Sequence, residues 1–245
     1  MRPIRRNNSP IADDFDNYTS AKPYLISRIG SYCSYCERKI VTNLAVEHIE
    51  PKDGEYGKPQ LKGCWTNFLL ACVNCNSTKG DKQLVLSNVF LPDRDNTFFA
   101  FNYQADGKIL PADNLSPEDS EKANNILSLI GLDKPGQDIY NDKNELIAQD
   151  RVSQRSQIWG VAESALDNFL ANENNNAVKK LIVKNMIFSG FFSVWMKVFT
   201  DHPNMKKRFI KAMNGTEESG CFNMLTVDVV SPHPNGDKLL AGGKI

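Results

Sequence analysis

The sequence predicts an α+β fold, with a small cysteine-organised module of short strands followed by a mostly α-helical region. Three observations carry this. Cys33/Cys36 and Cys72/Cys75 form two Cys-x-x-Cys pairs around short apolar runs, Leu44 to Val46 and Phe68 to Ala71. Ser116-Pro117-Glu118-Asp119 reads as a helix start, with a capping serine, proline in the first turn and acids near the positive dipole end. Further on, Ile158, Val161, Ala162, Ala165, Leu166 and Phe169 recur at three- and four-residue spacing, the period of one helix face. The corresponding division is residues 1–30 as an N-terminal arm and short helix, 31–112 as the cysteine module with a following hairpin, and 113–245 as the mainly helical domain.

In chain order, residues 1–16 lack periodicity and read as an extended arm. Pro23 opens a short helix over Tyr24-Leu-Ile-Ser-Arg-Ile29, which Gly30 ends. Leu44 to His48 alternates as a strand, and Asn76 to Lys82 reads as a short helix. Asp106-Gly107 between two aromatic or apolar runs reads as a hairpin turn. The helix that starts at Ser116 runs to about Ile130, where Gly131 supplies a stop. Three more helices are expected, at roughly 142–172, 177–200 and 203–213.

The chain has 245 residues, with 29 basic and 29 acidic side chains, 41% hydrophobic and 24% charged. That balance is globular and excludes a disordered chain or a uniformly basic nucleic-acid coat protein. Zero net charge hides an uneven distribution: 12 basic and 9 acidic groups in residues 1–82, 7 and 15 in 83–175, 8 and 1 in 176–214, and 2 and 4 in 215–245. The most apolar window, Asn185 to Met196, is too short to span a membrane, which takes roughly 20 residues. No apolar run follows the basic N-terminus, so the expectation is a cytoplasmic protein without membrane attachment.

In a reducing compartment, paired cysteines are metal ligands rather than disulfides. Each Cys-x-x-Cys can place two thiolates on one ion, and four soft sulfur ligands favour structural zinc, closed and therefore not catalytic. Between the pairs, Glu47-His48 sits at the end of the predicted strand, and Asn76 follows Cys75 directly. An oxygen ligand at Asn76 joined to Glu47 suits a hard cation such as Mg²⁺. Cys64 and Cys221 have no partner pattern and read as core thiols. His202 and His233 adjoin prolines and read as turn or surface residues.

The combined string resembles the HNH, or ββα-metal, endonucleases: Cys33-x-x-Cys36, Glu47-His48-Ile49-x-Pro51, Asn67 and Cys72-x-x-Cys75-Asn76-x-x-Lys79-Gly80. The three-letter signature falls on His48, Asn67 and Asn76. The resemblance covers about residues 30–82 and implies a zinc-knuckle ββα-metal module that hydrolyses phosphodiesters. It implies His48 as the general base that activates water and Glu47 with Asn76 as ligands of a catalytic Mg²⁺ or Mn²⁺. It makes Asn67 the residue that braces the loop and orients His48, Lys79 a catalytic-site cation within reach of a phosphate, and Cys33, Cys36, Cys72 and Cys75 the structural Zn²⁺ ligands. Glu47 stands where the family commonly has Asp, and Asn76 where it often has His.

The wider layout is similar to the HNH subunits (PtuB) of Septu-type antiphage systems, which also occur beside retrons. The residues that carry this are the Met1-Arg-Pro-Ile-Arg-Arg6 arm, Leu91-Pro-Asp-Arg-Asp-Asn-Thr97, His202-Pro-Asn-Met-Lys-Lys-Arg-Phe-Ile210 and Gly220-Cys-Phe222. That resemblance implies an ABC-type ATPase subunit (PtuA-like) as partner, in some systems a retron reverse transcriptase with its RNA–DNA, and DNA or a tRNA-like RNA as target. Lys206, Lys207, Arg208 and Lys211 could track a phosphate backbone or form a solvated helix face. The aromatic run Phe188 to Phe199 reads as a buried core helix or as a docking face for the ATPase. Two other functions compete: a stand-alone restriction-type nuclease, and a non-catalytic zinc module that only binds nucleic acid or a partner.

Overall fold

The computed structural model of the protein describes residues 1–245. The N-terminal arm has no regular structure, but its first six residues run through the interior rather than over the surface, with Met1, Arg2, Pro3, Ile4 and Arg6 buried, before residues 7–14 emerge. Arg2 donates to the carbonyls of Asn214 (2.7 Å) and Ile29 (2.6 Å), and Arg6 pairs with Asp93 at 2.6 Å. Buried charge has to be paired in this way. Part of the positive charge counted in residues 1–82 is therefore neutralised internally. Helix α1 (Lys22–Ile29) follows, with Pro23 in its first turn and Gly30 at φ +76° after its last.

Strand β1 (Ala45–His48) pairs antiparallel with β2 (Phe68–Ala71), setting Glu47 opposite Leu69 and His48 opposite Phe68. Helix α2 (Val73–Lys79) comes directly after, so the order is β-β-α. The short helix expected over Asn76 to Lys82 starts three residues earlier because Cys72 is its N-cap, with Sγ 3.5 Å from the Cys75 amide. It stops at Gly80, φ +53°. The one-turn α3 (Thr97–Ala100) then leads into β3 (Phe101–Tyr103), which pairs with β4 (Ile109–Pro111). Helix α4 (Pro117–Leu129) starts as its sequence signal requires, with Ser116 Oγ accepting from the Asp119 amide at 3.1 Å.

Two expected helices are corrected. Residues 142–150 are not helical; a hairpin of β5 (Ile139–Tyr140) and β6 (Leu146–Ala148) precedes α5 (Arg151–Leu170). Local side-chain bonds divert the backbone here. Asn141 Oδ1 accepts from the amides of Lys143 (3.0 Å) and Glu145 (2.8 Å), and the Asp150 carboxylate caps α5 from Val152 (2.8 Å) and Ser153 (2.9 Å). The helix expected over 177–200 is two, α6 (Asn176–Ser189) and α7 (Phe192–Val198). It breaks at Gly190 (φ +74°) and Phe191 (φ +54°), where the Phe191 amide donates to the Glu37 carbonyl at 3.0 Å. A Cβ on Gly190 would lie 2.6 Å from that carbonyl oxygen. Helix α8 (Pro203–Ala212) lies where its pattern placed it.

Two hydrophobic cores result, and they do not divide at residue 112. The first holds β1, β2 and residues from the arm through Leu132, including Ala123, Ile126 and Leu127 of α4 and, from later in the chain, Phe191 and Val194. The second gathers α5 to α8 around Phe192, Trp195, Phe199 and Phe209. The aromatic run is thus mainly interior, and only Phe188 stands in solvent, 78% exposed. No helix is long and apolar enough to cross a membrane.

Candidate active site and metal centre

Cys33 and Cys36 lie on the turn before β1, and Cys72 and Cys75 open α2; all four are buried thiols without a disulfide. Their sulfurs all lie within 4.8 Å of one another. Cys36 Sγ and Cys72 Sγ are 3.7 Å apart, close to the edge, about 3.8 Å, of a tetrahedron built on Zn–S bonds of about 2.3 Å. The chemistry and spacing of the donor set therefore fit a structural zinc. By fixing Cys72 and Cys75, the cluster sets the start of α2 and hence the position of Asn76.

A cleft of about 310 Å³ opens beside this centre, and its walls bring together Glu47, His48, Asn76 and Lys79, with Tyr18, Asp53 and Asp81 as further polar lining. His48 is held edge-on to Tyr18 (4.8 Å between ring centres) and to Phe68 (5.2 Å). Its Nε2 lies 2.9 Å from the Lys62 carbonyl. A carbonyl only accepts, so Nε2 carries the proton and Nδ1 keeps its lone pair. Burial lowers the imidazole pKa, with Lys52 and Lys79 adding to the effect and the Lys62 carbonyl opposing it. The ring is thus a neutral base of fixed tautomer.

Asn67 does not touch the imidazole. Its Oδ1 accepts from the Glu50 amide at 2.8 Å, and its Nδ2 donates to the carbonyls of Glu50 (2.9 Å) and Leu61 (3.4 Å). These bonds close the loop between β1 and β2 at both ends, one residue from the Lys62 carbonyl that holds His48.

Glu47 is buried, and its Oε1 is held by Lys79 Nζ at 3.0 Å and Tyr35 OH at 3.3 Å, leaving Oε2 without a protein partner. Burial raises its carboxyl pKa, opposed by Lys79 and Tyr35. Asn76 is half-buried on the cleft wall, and its side-chain amide is unbonded. A free carboxylate oxygen and an amide oxygen on one cleft are hard donors, which suits Mg²⁺ or Mn²⁺ over a softer ion.

The remaining expected residues are placed differently. Lys79 is only 2% exposed and donates to the His48 carbonyl at 2.7 Å as well as pairing with Glu47. Its ammonium is an internal counter-ion, and the phosphate contact expected of it is not open in this arrangement. Lys206, Lys207, Arg208 and Lys211 lie on α8, and none lines the cleft; Arg208 donates to Asn176 Oδ1 at 3.1 Å, and of the four Lys211 is exposed and the others half-buried. Cys221 is a core thiol, its pKa pushed up to about 12 by burial, but Cys64 is half-exposed beside Thr66. His202 packs edge-on to Phe169 (5.2 Å) at the start of α8. His233, expected in a turn or at the surface, is buried, with Nδ1 accepting from the Asn235 amide at 2.8 Å.

Sequence reasoning missed Tyr35, Asp53, Asp81 and the Lys62 carbonyl. Tyr35 carried a local signal, being one of the two residues enclosed by the first cysteine pair; Asp53 and the Lys62 carbonyl are brought in by the loop between β1 and β2, and Asp81 by the turn after α2.

Residues 33–82 match the family model of the HNH endonucleases, the stretch that holds both knuckles and the cleft. The chain carries an HNH endonuclease domain. It is also similar to a protein of Vibrio cholerae serotype O1 biovar El Tor named "Retron Vc95 putative HNH endonuclease", 28% identical over 114 residues, a match that covers 43% of this chain and 54% of that protein. The chain thus spans about half the length of that curated relative.

Proposed function

We propose that this chain is a metal-dependent HNH endonuclease that hydrolyses phosphodiester bonds of nucleic acid, DNA or a tRNA-like RNA. We further propose that it works in the cytoplasm as the effector nuclease of an antiphage defence complex with an ABC-type ATPase, beside a retron reverse transcriptase and its RNA–DNA. The observation that carries the nuclease reading is the His48 imidazole, its proton fixed on Nε2 by the Lys62 carbonyl and its Nδ1 left free, on a residue that shares one cleft with Glu47 and Asn76. The similarity to a retron-named HNH protein supports the defence setting.

His48 Nδ1 takes a proton from water, and the neutral ring is favoured by burial. Lys62 orients the ring through its carbonyl, and Asn67 holds that carbonyl's neighbour in place. Glu47 and Asn76 would hold the divalent cation, which when bound stabilises negative charge at the phosphate and leaving oxygen. Tyr35 and Lys79 hold Glu47 by one oxygen and leave the other for the ion. The four cysteines, closed around zinc, position these groups and take no part in the reaction.

The test is cleavage of plasmid and total tRNA with Mg²⁺ by the purified chain, alone and with an ABC-type ATPase partner. Wild type cuts one of these substrates in a Mg²⁺-dependent way. His48→Ala loses at least about 10²-fold in rate with unchanged zinc content and circular dichroism. Equal cutting by H48A would discard the base assignment. Absence of Mg²⁺-dependent cleavage by wild type, alone and in complex, would leave a binding module. Full, sequence-specific cutting by the isolated chain would point to the stand-alone nuclease.

A further inference from the structure

A buried guanidinium with unpartnered nitrogens demands an explanation. Arg155 of α5 is 1% exposed; its Nε donates to the Gly107 carbonyl at 2.6 Å, but Nη1 and Nη2 are buried without any partner. One turn earlier, Arg151 Nη1 lies 3.3 Å from Cys75 Sγ and also donates to the Ile130 carbonyl at 2.9 Å, while its Nη2 donates to Gly131 at 2.6 Å. Residues four apart share a helix face, so both guanidinium groups leave α5 on the same side. No carboxylate pairs with Arg155, although it sits one turn along the same face from the arginine that meets Cys75 Sγ. Arg151 therefore meets the second knuckle at Cys75, and Arg155 stands buried and unpaired one turn further along the same face.

Four thiolates on one Zn²⁺ form a dianion, which is costly to bury unless cations face it. A half-buried arginine, Arg151, touches one of these sulfurs, and a fully buried one without a full set of acceptors, Arg155, lies a turn away. We propose that Arg151 and Arg155 are the charge-compensating partners of the tetrathiolate zinc centre, Arg151 by an N–H directed at Cys75 Sγ and Arg155 as an unpaired buried cation one turn away, and that zinc loading thereby fastens α5 to the nuclease module. The proposal rests on the cysteine cluster as a zinc site and is independent of whether the cleft is catalytic. Arg151 serves twice, because the same guanidinium closes the C-terminal end of α4 through Ile130 and Gly131. The hairpin turn at Gly107 joins the arrangement, since a Cβ there would lie 2.1 Å from the Val152 carbonyl oxygen of α5.

The experiment uses zinc-loaded full-length protein and reads zinc release to 4-(2-pyridylazo)resorcinol. Outer partners of metal ligands are worth about 10–100-fold in metal affinity. Arg151→Met and Arg155→Met are expected to release zinc at least about tenfold faster than wild type. Arg155→Lys regains most of the difference, and Lys184→Met on the exposed face of α6 matches wild type. In cobalt-substituted protein the thiolate-to-cobalt charge-transfer band shifts in R151M and R155M and stays in place in K184M. Release rates and bands indistinguishable from wild type in both arginine variants would overturn the proposal. Should either variant fail to fold, hydrogen exchange of the wild type decides. On zinc removal, amides 151–156 must gain exchange more than those of α8; an equal or smaller gain overturns the proposal.

Discussion

Lys79 Nζ lies 3.0 Å from Glu47 Oε1 and donates at 2.7 Å to the carbonyl of His48, so one ammonium secures two consecutive residues at the end of strand β1. Both partners of the ion pair are almost fully buried, 2% and 1% exposed. Removing one partner of such a pair leaves an uncompensated buried charge, at a cost of about 3–5 kcal/mol. Lys79→Met is therefore expected to lower unfolding free energy in urea by about that amount. The K79M/E47Q double variant should recover a large part of it, because neutralising both ends removes the stranded charge. If K79M and wild type have the same urea midpoint, the pair is not what holds Glu47.

Asn67 is expected to separate positioning from chemistry. Asn67→Asp keeps the acceptor for the Glu50 amide but cannot donate to the Glu50 and Leu61 carbonyls. The predicted loss of stability is about 1–3 kcal/mol. Displacement of the loop that carries the Lys62 carbonyl is expected to lower kcat by about 10²-fold with less effect on KM. A kcat within a factor of two of wild type would mean that the loop holds His48 without Asn67.

His233 supplies a stability probe remote from the cleft. Burial lowers its pKa to about 4, with the nearby Asp93 and Asp237 opposing the shift and Arg5 adding to it. The unfolded chain has the ordinary value of about 6.5, so between those values the unfolded state binds a proton that the folded state refuses. Stability is then full above pH 6.5 and falls as pH drops toward 4, by about 3 kcal/mol from this residue. His233→Asn offers an oxygen in place of Nδ1 and should flatten the urea-unfolding free energy across that window. An unchanged pH profile would assign the acid loss to other groups.

The α8 cations are predicted to act in binding and not in the chemical step, since Lys206, Lys207, Arg208 and Lys211 lie away from the cleft. Replacing all four with Gln should weaken nucleic-acid binding measured by fluorescence anisotropy. For duplex DNA, the slope of log K against log salt should flatten by about 0.9 for each phosphate that the variant no longer neutralises. kcat at saturating substrate should be kept. An unchanged slope would make these residues a solvated helix face.

The site was legible in the sequence to the extent that its chemistry is local. Glu47-His48, the second Cys-x-x-Cys pair and Asn76 sit within one β-β-α unit and the first pair on the turn just before it, so the unit's own pairing brings them to one place. Helix starts with a strong cap, such as Ser116 before α4, were legible for the same reason. Features set by distant residues were not. The break between α6 and α7 comes from Glu37, far earlier in the chain, taking the Phe191 amide. The hairpin ahead of α5 depends on Asn141 bonding its own neighbours, where periodicity favours a longer helix. Lys79 is expected from the resemblance to be a catalytic-site cation within reach of a phosphate, and only the packed sheet makes it internal.

The first knuckle has alternate loyalties that decide how the chain can be cut. Tyr35 reaches Glu47 in the cleft, Cys36 belongs to the sulfur cluster, and Glu37 accepts from the Ser193 amide (2.7 Å), the Ser193 hydroxyl (2.6 Å) and Tyr103 OH (3.0 Å). Three successive residues thus answer to three different parts of the molecule. A fragment ending at residue 112 would keep all four clustered cysteines and the whole cleft, yet it would strip the Glu37 carboxylate of both donors from Ser193. The nuclease unit is not a portable cassette, and grafting it onto another scaffold means supplying a substitute for the helix that begins beside Ser193.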